Sequence, residues 1–214
     1  MQTADDGHLH LHRFYGNFKR NAHRRCSTKG NCSMRVENTG LHEVKIIEYE
    51  RKTDNRGFSC PTYRKNDLAE AGIAFDYTEE IEYFSEKAGT LYGIHFQNAP
   101  RAQAKLLYCT QGRGIDYAID LRNGSPTFLR WVGVELSADN RKQIYIPQGF
   151  GHAFLSLQDH TKNVMRIDEP FDPRYSRQIA YNDPDIAIPY PIDAPILASH
   201  DIHAPLLADS DVNL

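Results

Sequence analysis

Between residues 43 and 184 the chain turns at short intervals, and this spacing is the strongest constraint on its fold. Turn-forming residues occur at 53–57, 123–126, 139–140 and 147–149. Short runs such as 44–49 and 115–122 lie between turns, and helical periodicity is nearly absent. Residues 66–72 predict a short helix, which Asn66 would cap and Gly72 would end. The pattern indicates an all-β sandwich or barrel.

Composition divides the chain into three segments. Residues 1–42 are polar and rich in His, Arg and Lys, which predicts a flexible N-terminal extension. The alternating histidines at 8–12 leave a metal-binding tract or a partner-binding arm as alternatives. Residues 43–184 form the predicted β domain. Residues 185–214 are proline-rich and aperiodic, and we expect them to extend over the barrel.

The bulk composition excludes several classes of partner. The net charge of −3 gives no general attraction to nucleic acid or to a membrane surface. No apolar run approaches the roughly 18 residues of a membrane span, and the N-terminus lacks the apolar segment of a secretion signal. Four cysteines without a CxxC pair favour reduced thiols and a cytoplasmic protein.

Polar side chains on three apolar strands suggest a lined pocket. On a strand, His95 and Gln97 share one face with Gly93, and His152 lies within another apolar run. Lys105 begins a third. Taken singly, a strand histidine is more often structural than catalytic, and such a lysine is usually solvated. Their combination is what favours a cavity.

These residues belong to longer sequence motifs that are distributed along the chain. The motifs are DNRGF at 54–58, GIHFQ at 93–97, QAK at 103–105, DLRNGSPTF at 120–128, WVGVELS at 131–137 and IPQGFGHAFL at 146–155. Residues 53 to about 201 resemble the dTDP-4-dehydrorhamnose 3,5-epimerase family. The resemblance implies a cupin-type jelly roll with one or two short helices, usually a homodimer, without metal or other cofactor.

The resemblance also implies a substrate and catalytic roles. The family acts on a nucleotide-linked 4-keto-6-deoxy sugar, whose C3 and C5 protons are acidified by the ketone. His95 matches the base, Asp201 the carboxylate that orients it, and Lys105 the cation near the keto oxygen.

Other positions match substrate contacts. Arg56 matches a diphosphate contact, and Phe171 matches an aromatic residue that stacks on the nucleotide base. His152 matches a second polar pocket residue, and Gln97 joins this set by its strand face.

The chain departs from the family pattern at the opposite-face acid. The family has a tyrosine where this chain has Met165 or Arg166, and we expect Arg166 to face the pocket as a substitute. Tyr92 replaces a family arginine near the substrate; on a regular strand it would point away from His95, unless Gly93 bends the strand. Glu80 and Glu82 stand where the family has Gln and Asn.

Three functions fit these matches and departures. The first is an epimerase of a nucleotide sugar that inverts one or two centres. The second is a keto-sugar isomerase, which needs the base and the enolate stabiliser but no opposite-face acid. The third is a non-catalytic sugar-nucleotide-binding or dimerisation module.

Overall fold

The computed structural model describes residues 24–27 and 33–214, with side chains from Met34 onward. The strands are β1 Arg24–Ser27, β2 Ser33–Asn38, β3 Lys45–Tyr49, β4 Lys52–Asp54, β5 Gly57–Ser59, β6 Glu79–Ser85, β7 Leu91–Gln97, β8 Lys105–Gln111, β9 Arg113–Asp120, β10 Trp131–Ser137, β11 Gln143–Ile146, β12 Phe150–Ser156, β13 Thr161–Ile167 and β14 Ser176–Gln178. The helices are α1 Lys65–Glu70 and α2 Ser199–Ile202, and a 3-10 turn spans Leu207–Asp209. The predicted all-β fold with one or two short helices is confirmed.

Two antiparallel sheets form the barrel. The larger sheet has the order β1-β2-β3-β11-β8-β13-β6, and the smaller has the order β10-β9-β12-β7-β14. Strands β4 and β5 form a separate hairpin around the predicted turn at 53–57. The neighbours in each sheet are mostly distant in sequence, so the barrel brings together strands that the chain separates widely.

The interior between the sheets holds one apolar cluster. Both sheets contribute to it: Leu107, Ile144 and Met165 come from the larger sheet, and Val134, Phe150 and Phe154 from the smaller. Fully burying one such side chain contributes about 2 kcal/mol. Ile81, Tyr83 and Tyr92 pack at its margin and are only partly buried.

The outer faces of both sheets are covered as well. Ile115, Tyr117 and Ile119 of β9 point outward and pack with Ile186 and Ile188 of the C-terminal segment. Met34, Ile47 and Leu106 of the larger sheet pack with Leu68 of α1 and with Ile73 and Phe75. Because each strand is buried on both sides, its apolar residues do not by themselves mark the interior.

Helix α1 begins earlier than we predicted. Its N-cap is Arg64, and Asn66 lies inside the helix, so the predicted cap is wrong. Its end is as expected. Gly72 has a φ of +79°, and the N–H groups of Gly72 and Ile73 donate to the carbonyls of Ala69 and Leu68. A left-handed residue at this position closes the helix and favours glycine.

The N-terminal segment differs from the predicted flexible extension over its described part. Strand β2 pairs with β3 in a five-residue register from Met34↔Tyr49 to Asn38↔Lys45, and β1 pairs with β2. The histidine tract at 8–12 lies outside the described residues. Within the described part of the chain, no helix is long and apolar enough to cross a membrane.

Candidate active site

A bulge in β7 positions His95. His95 lies opposite His152, and Tyr92 lies opposite Phe154, so Gly93 and Ile94 together oppose a single residue of β12. Gly93 has a φ of +110°, and a Cβ there would lie 2.5 Å from the carbonyl oxygen of His152. The bulge therefore requires glycine at position 93.

The bulge also corrects the expected direction of Tyr92. His152 and Phe154 are two residues apart and share the interior face of β12. Their partners His95 and Tyr92 consequently share the interior face of β7, although they are three residues apart. Tyr92 packs against the interior cluster, and its hydroxyl donates to the carbonyl of Phe84 at 3.2 Å.

His95 and Asp201 form a close pair, as the resemblance implied. His95 Nε2 lies 2.6 Å from Asp201 Oδ1. The Asp201 side chain is 3% exposed and the His95 side chain 29% exposed. Helix α2 brings the carboxylate to β7 across 106 residues of sequence. A buried carboxylate on one ring nitrogen fixes the ring and leaves Nδ1 as the nitrogen that can accept a proton.

His200 is a neighbour of this pair that sequence reasoning missed. Its ring stacks on that of His95 with a centroid distance of 5.6 Å, and its Nε2 lies 3.5 Å from Asp201 Oδ1. His95, His200 and Asp201 each offer a ligand atom, all within 4.8 Å of one another. These side chains could therefore hold a metal ion, and the absence of a metal remains a prediction.

Lys105, Asp116 and His152 form a second, fully buried polar group beside His95. The rings of His95 and His152 are 6.5 Å apart, and His152 Nδ1 lies 3.5 Å from Asp116 Oδ2. Among the described residues, neither Lys105 Nζ nor either oxygen of Asp116 has a hydrogen-bond partner. Buried polar groups are normally bonded, so this group is suited to bind a polar ligand.

Burial shifts the protonation equilibria of this group. It lowers the pKa of Lys105 to about 8, and Asp116 opposes that change. It raises the pKa of the Asp116 carboxyl well above the ordinary value. It lowers the pKa of His152, which the nearby Lys105 lowers further, so the imidazole is neutral at pH 7. With a pKa of about 8, the Lys105 side chain remains mostly protonated, and therefore positively charged, near neutral pH.

Gln97 forms hydrogen bonds with the loop that contains Phe171. Its Nε2 donates to the carbonyls of Arg101 at 2.7 Å and Pro170 at 3.3 Å, and its Oε1 accepts from the N–H of Asp172 at 2.7 Å. The Phe171 side chain is 59% exposed. Its exposed ring is available for stacking, and the amide of Gln97 is already used within the protein.

Arg56 lies in the β4–β5 turn rather than among the buried groups. Its side chain is 84% exposed, and its hydrogen bonds within the described chain go to Asp54. The structure gives no contact between it and the other predicted site residues.

Arg166 contradicts our prediction that it faces the pocket. Met165 packs in the interior cluster, so its neighbour on β13 points outward. Arg166 donates to Glu80 and to the Thr62 carbonyl, each at 2.6 Å. The guanidinium also lies over the rings of Tyr63, Tyr77 and Tyr108. Arg166 thus stabilises the outer face of the larger sheet and leaves Met165 at the position of the family's acid.

The carboxylates of β6 follow the same alternation. Ile81 and Tyr83 face the interior cluster, whereas Glu80 and Glu82 are exposed and bind Arg166 and Lys162 on the other face. The extra negative charge noted in the sequence therefore lies outside the barrel.

Comparison with known proteins agrees with this arrangement. Residues 38–209 match the profile of the dTDP-4-dehydrorhamnose 3,5-epimerase family. The chain belongs to this family. The family's enzyme from Shigella flexneri is 36% identical over 179 residues, which cover 83% of this chain and 98% of the relative.

Solved structures of the epimerase family share the fold. The Bacillus anthracis enzyme with TDP and PPi bound is 38% identical, with a TM-score of 0.79 over 81% of this chain and 99% of its own. The Legionella pneumophila enzyme in complex with dTDP-4-keto-L-rhamnose is 35% identical, with a TM-score of 0.79 over 83% and 95%. The family and its cupin-type fold, both expected from the motifs, are confirmed.

Proposed function

We propose that the protein is an epimerase of a dTDP-linked 4-keto-6-deoxy sugar, with His95 as the base. The observation that supports this most directly is the 2.6 Å contact between His95 Nε2 and the buried carboxylate of Asp201. This contact orients the imidazole on the interior wall, and the ammonium of the buried Lys105 has no hydrogen-bond partner among the described residues. Relatives named for this reaction cover most of the chain.

The proposed chemistry uses each of these groups in turn. His95 Nδ1 takes a proton from a carbon next to the ketone, and Asp201 stabilises the imidazolium that forms. The electron pair moves to the keto oxygen, where the ammonium of Lys105 stabilises the enolate. Return of a proton to the other face of that carbon inverts it.

Substrate contacts follow the same proposal. Phe171 offers an exposed ring for the nucleotide base, and His152 with Tyr92 lines the interior next to the sugar. Gln97 supports the Phe171 loop. Arg56 would meet the diphosphate only if its hairpin or a second subunit brings it to the pocket.

Deuterium uptake tests the base. We expect the protein to incorporate solvent deuterium into dTDP-4-keto-6-deoxyglucose, and His95→Asn to reduce this by a factor of at least about 10². Asp201→Asn should cause a comparable loss while leaving substrate binding in place. His203→Asn, an exposed histidine beyond α2, is the matched control and should not change the rate.

The outcomes separate the three functions. Uptake with inversion supports the epimerase. A carbonyl moved along the ring, followed by NMR, would indicate the keto-sugar isomerase, which Met165 in the place of the acid favours. A rise in Tm with dTDP but no uptake from any 4-keto sugar would indicate a binding module and contradict the proposal.

We also propose a cytoplasmic homodimer. Cys60 and Cys109 are free thiols, as is usual in reducing compartments. Strand β1 ends the larger sheet and pairs only with β2 in the described chain, so a second copy could extend the sheet there. Light scattering should give twice the 24.5 kDa of one chain; a value of one chain would contradict this.

A further inference from the structure

The position of the missing acid raises the question of which group returns the proton. Met165 has no transferable proton, and Arg166 faces away from the interior. Within the described chain, the tyrosines that pack against the interior cluster are Tyr83 and Tyr92. The other tyrosines assigned to apolar clusters lie on the outer faces of the sheets.

The two interior tyrosines differ in the use of their hydroxyls. Tyr92 donates its hydroxyl proton to the carbonyl of Phe84. The Tyr83 hydroxyl has no hydrogen bond to any described residue. Their rings meet edge to face, with centroids 5.4 Å apart. Tyr83 is therefore an interior phenol whose hydroxyl proton is not used in a hydrogen bond to any described residue.

The strand register places Tyr83 close to Met165, which stands where the family has its acid. Met165 pairs with Ile81, and Asn163 pairs with Tyr83, so Tyr83 is the next interior residue along β6 from the partner of Met165. Tyr92, which contacts the Tyr83 ring, is the interior neighbour of His95 on β7. Ile81 and Tyr83, two residues apart on β6, are therefore about 7 Å apart. The Tyr83 ring thus packs on the interior side of the barrel, in contact with a ring from the strand that carries His95.

We propose that Tyr83 is the acid that protonates the enolate on the face opposite His95. This inference rests on the proposed function. His95 belongs to the smaller sheet and Tyr83 to the larger, so a sugar held between the sheets presents one face to each. Burial raises the pKa of Tyr83, which keeps the phenol protonated at neutral pH.

The step balances without a further reactant. His95 holds the proton removed from carbon, and the enolate pair returns from oxygen to that carbon. The same carbon takes the phenolic proton of Tyr83 from its other face. The phenolate then regains a proton from water, and the imidazolium loses one to water, so no group is oxidised or reduced.

Tyr83→Phe separates exchange from inversion. In deuterated water, the variant should still exchange the substrate proton through His95, which can return deuterium to the same face. Formation of the inverted sugar should fall by a factor of at least about 10². Tyr145→Phe is the matched control because Tyr145 is also a half-buried tyrosine of the larger sheet but packs on its outer face, and it should retain inversion within about threefold.

The phenylalanine variant should fold, because the hydroxyl that it removes has no hydrogen bond to any residue that the structure describes. Its Tm and its stabilisation by dTDP check this. Tyr83→His supplies a second variant with a proton donor, and it should retain part of the inversion that Tyr83→Phe loses.

Two results would overturn the inference alone: inversion by Tyr83→Phe at the wild-type rate, or an equal loss in both phenylalanine variants. Exchange by the wild type without inversion would also overturn it, while leaving His95 as the base. No exchange by the wild type would instead contradict the proposed function.

Discussion

Two buried carboxylates on strand β9 have opposite surroundings. Asp120 accepts five hydrogen bonds, from the backbone and guanidinium of Arg122 and from the hydroxyls of Ser125 and Thr127. Asp116, four residues earlier, has no hydrogen-bond partner among the described residues. These bonds hold the pKa of Asp120 far below its usual range, whereas burial raises that of Asp116.

The contrast distinguishes a structural network from a site. The donors to Asp120 lie within seven residues and close the turn after β9, so the network is complete without a ligand. The neighbours of Asp116 are Lys105 and His152 from other strands, and neither Lys105 Nζ nor His152 Nδ1 has a hydrogen-bond partner among the described residues. The same residue type thus stabilises the fold at the end of β9, whereas in the middle of the strand it belongs to the proposed site.

The largest expected effect is on stability when each carboxylate becomes an amide. Asp120→Asn should lower the free energy of unfolding by about 3 kcal/mol, because it removes the buried charge that Arg122 binds and leaves the guanidinium with only Glu43 as a charged partner. Asp116→Asn should not lower stability, since it breaks no hydrogen bond to a described residue, while it slows deuterium uptake. Urea unfolding with a parallel uptake assay measures both. Equal stability losses would remove the distinction.

The two carboxylates should also act in opposite directions on stability at acid pH. The depressed pKa of Asp120 gives stability that is present above pH about 3.9 and is lost as the pH falls. The raised pKa of Asp116 gives stability that is lost as the pH rises above that value.

Unfolding between pH 3 and 6 tests this. Asp120→Asn should flatten the rise in stability by about 1 kcal/mol, and Asp116→Asn should steepen it. Curves that move in the same direction for both variants would contradict the assigned shifts.

Alkaline pH should lower the rate of the reaction, because it removes the proton of Lys105. If its ammonium stabilises the enolate, the rate constant kcat/KM falls by about tenfold per pH unit above the Lys105 pKa of about 8. Lys105→Arg should move this decline to higher pH, because a guanidinium stays protonated. A decline at the same pH in that variant would assign it to another group.

The smallest expected effect is on stability, when one of the hydroxyls that donate to Asp120 is removed. Thr127→Val removes one of the five bonds to Asp120 and should lower stability by about 1 kcal/mol. Thr127→Ser keeps the hydroxyl and serves as the control. Neither variant should alter deuterium uptake; a large loss of uptake would show that the turn also shapes the pocket.

The sequence predicts the barrel and the base because both depend on short-range signals. Turn residues and strand lengths indicate the all-β fold, and the motif around His95 indicates the residue that we propose as the base. The alternation of apolar and polar residues in β9 does not show which face lies inside the barrel. Its apolar residues pack outward under the C-terminal segment, and Asp116 faces inward. Asp116 was noticeable only as a carboxylate in an apolar strand.

Two errors arise from strand parity. The bulge at Gly93 reverses the face of Tyr92, and a one-residue difference places Met165 rather than Arg166 inside. A shift of one residue in a strand exchanges its faces, so an approximate alignment cannot decide between neighbours. His200 depends on a contact between segments about a hundred residues apart, which no local pattern reports.

The position of Asp201 has a consequence for synthesis of the protein. The proposed base lies on β7, whereas the carboxylate that contacts it comes from α2, 106 residues further along the chain. A ribosome-bound chain that has exposed the barrel strands, but not yet α2, would hold an imidazole that nothing orients. Catalytic competence should therefore arise only after α2 has been made, later than the barrel strands.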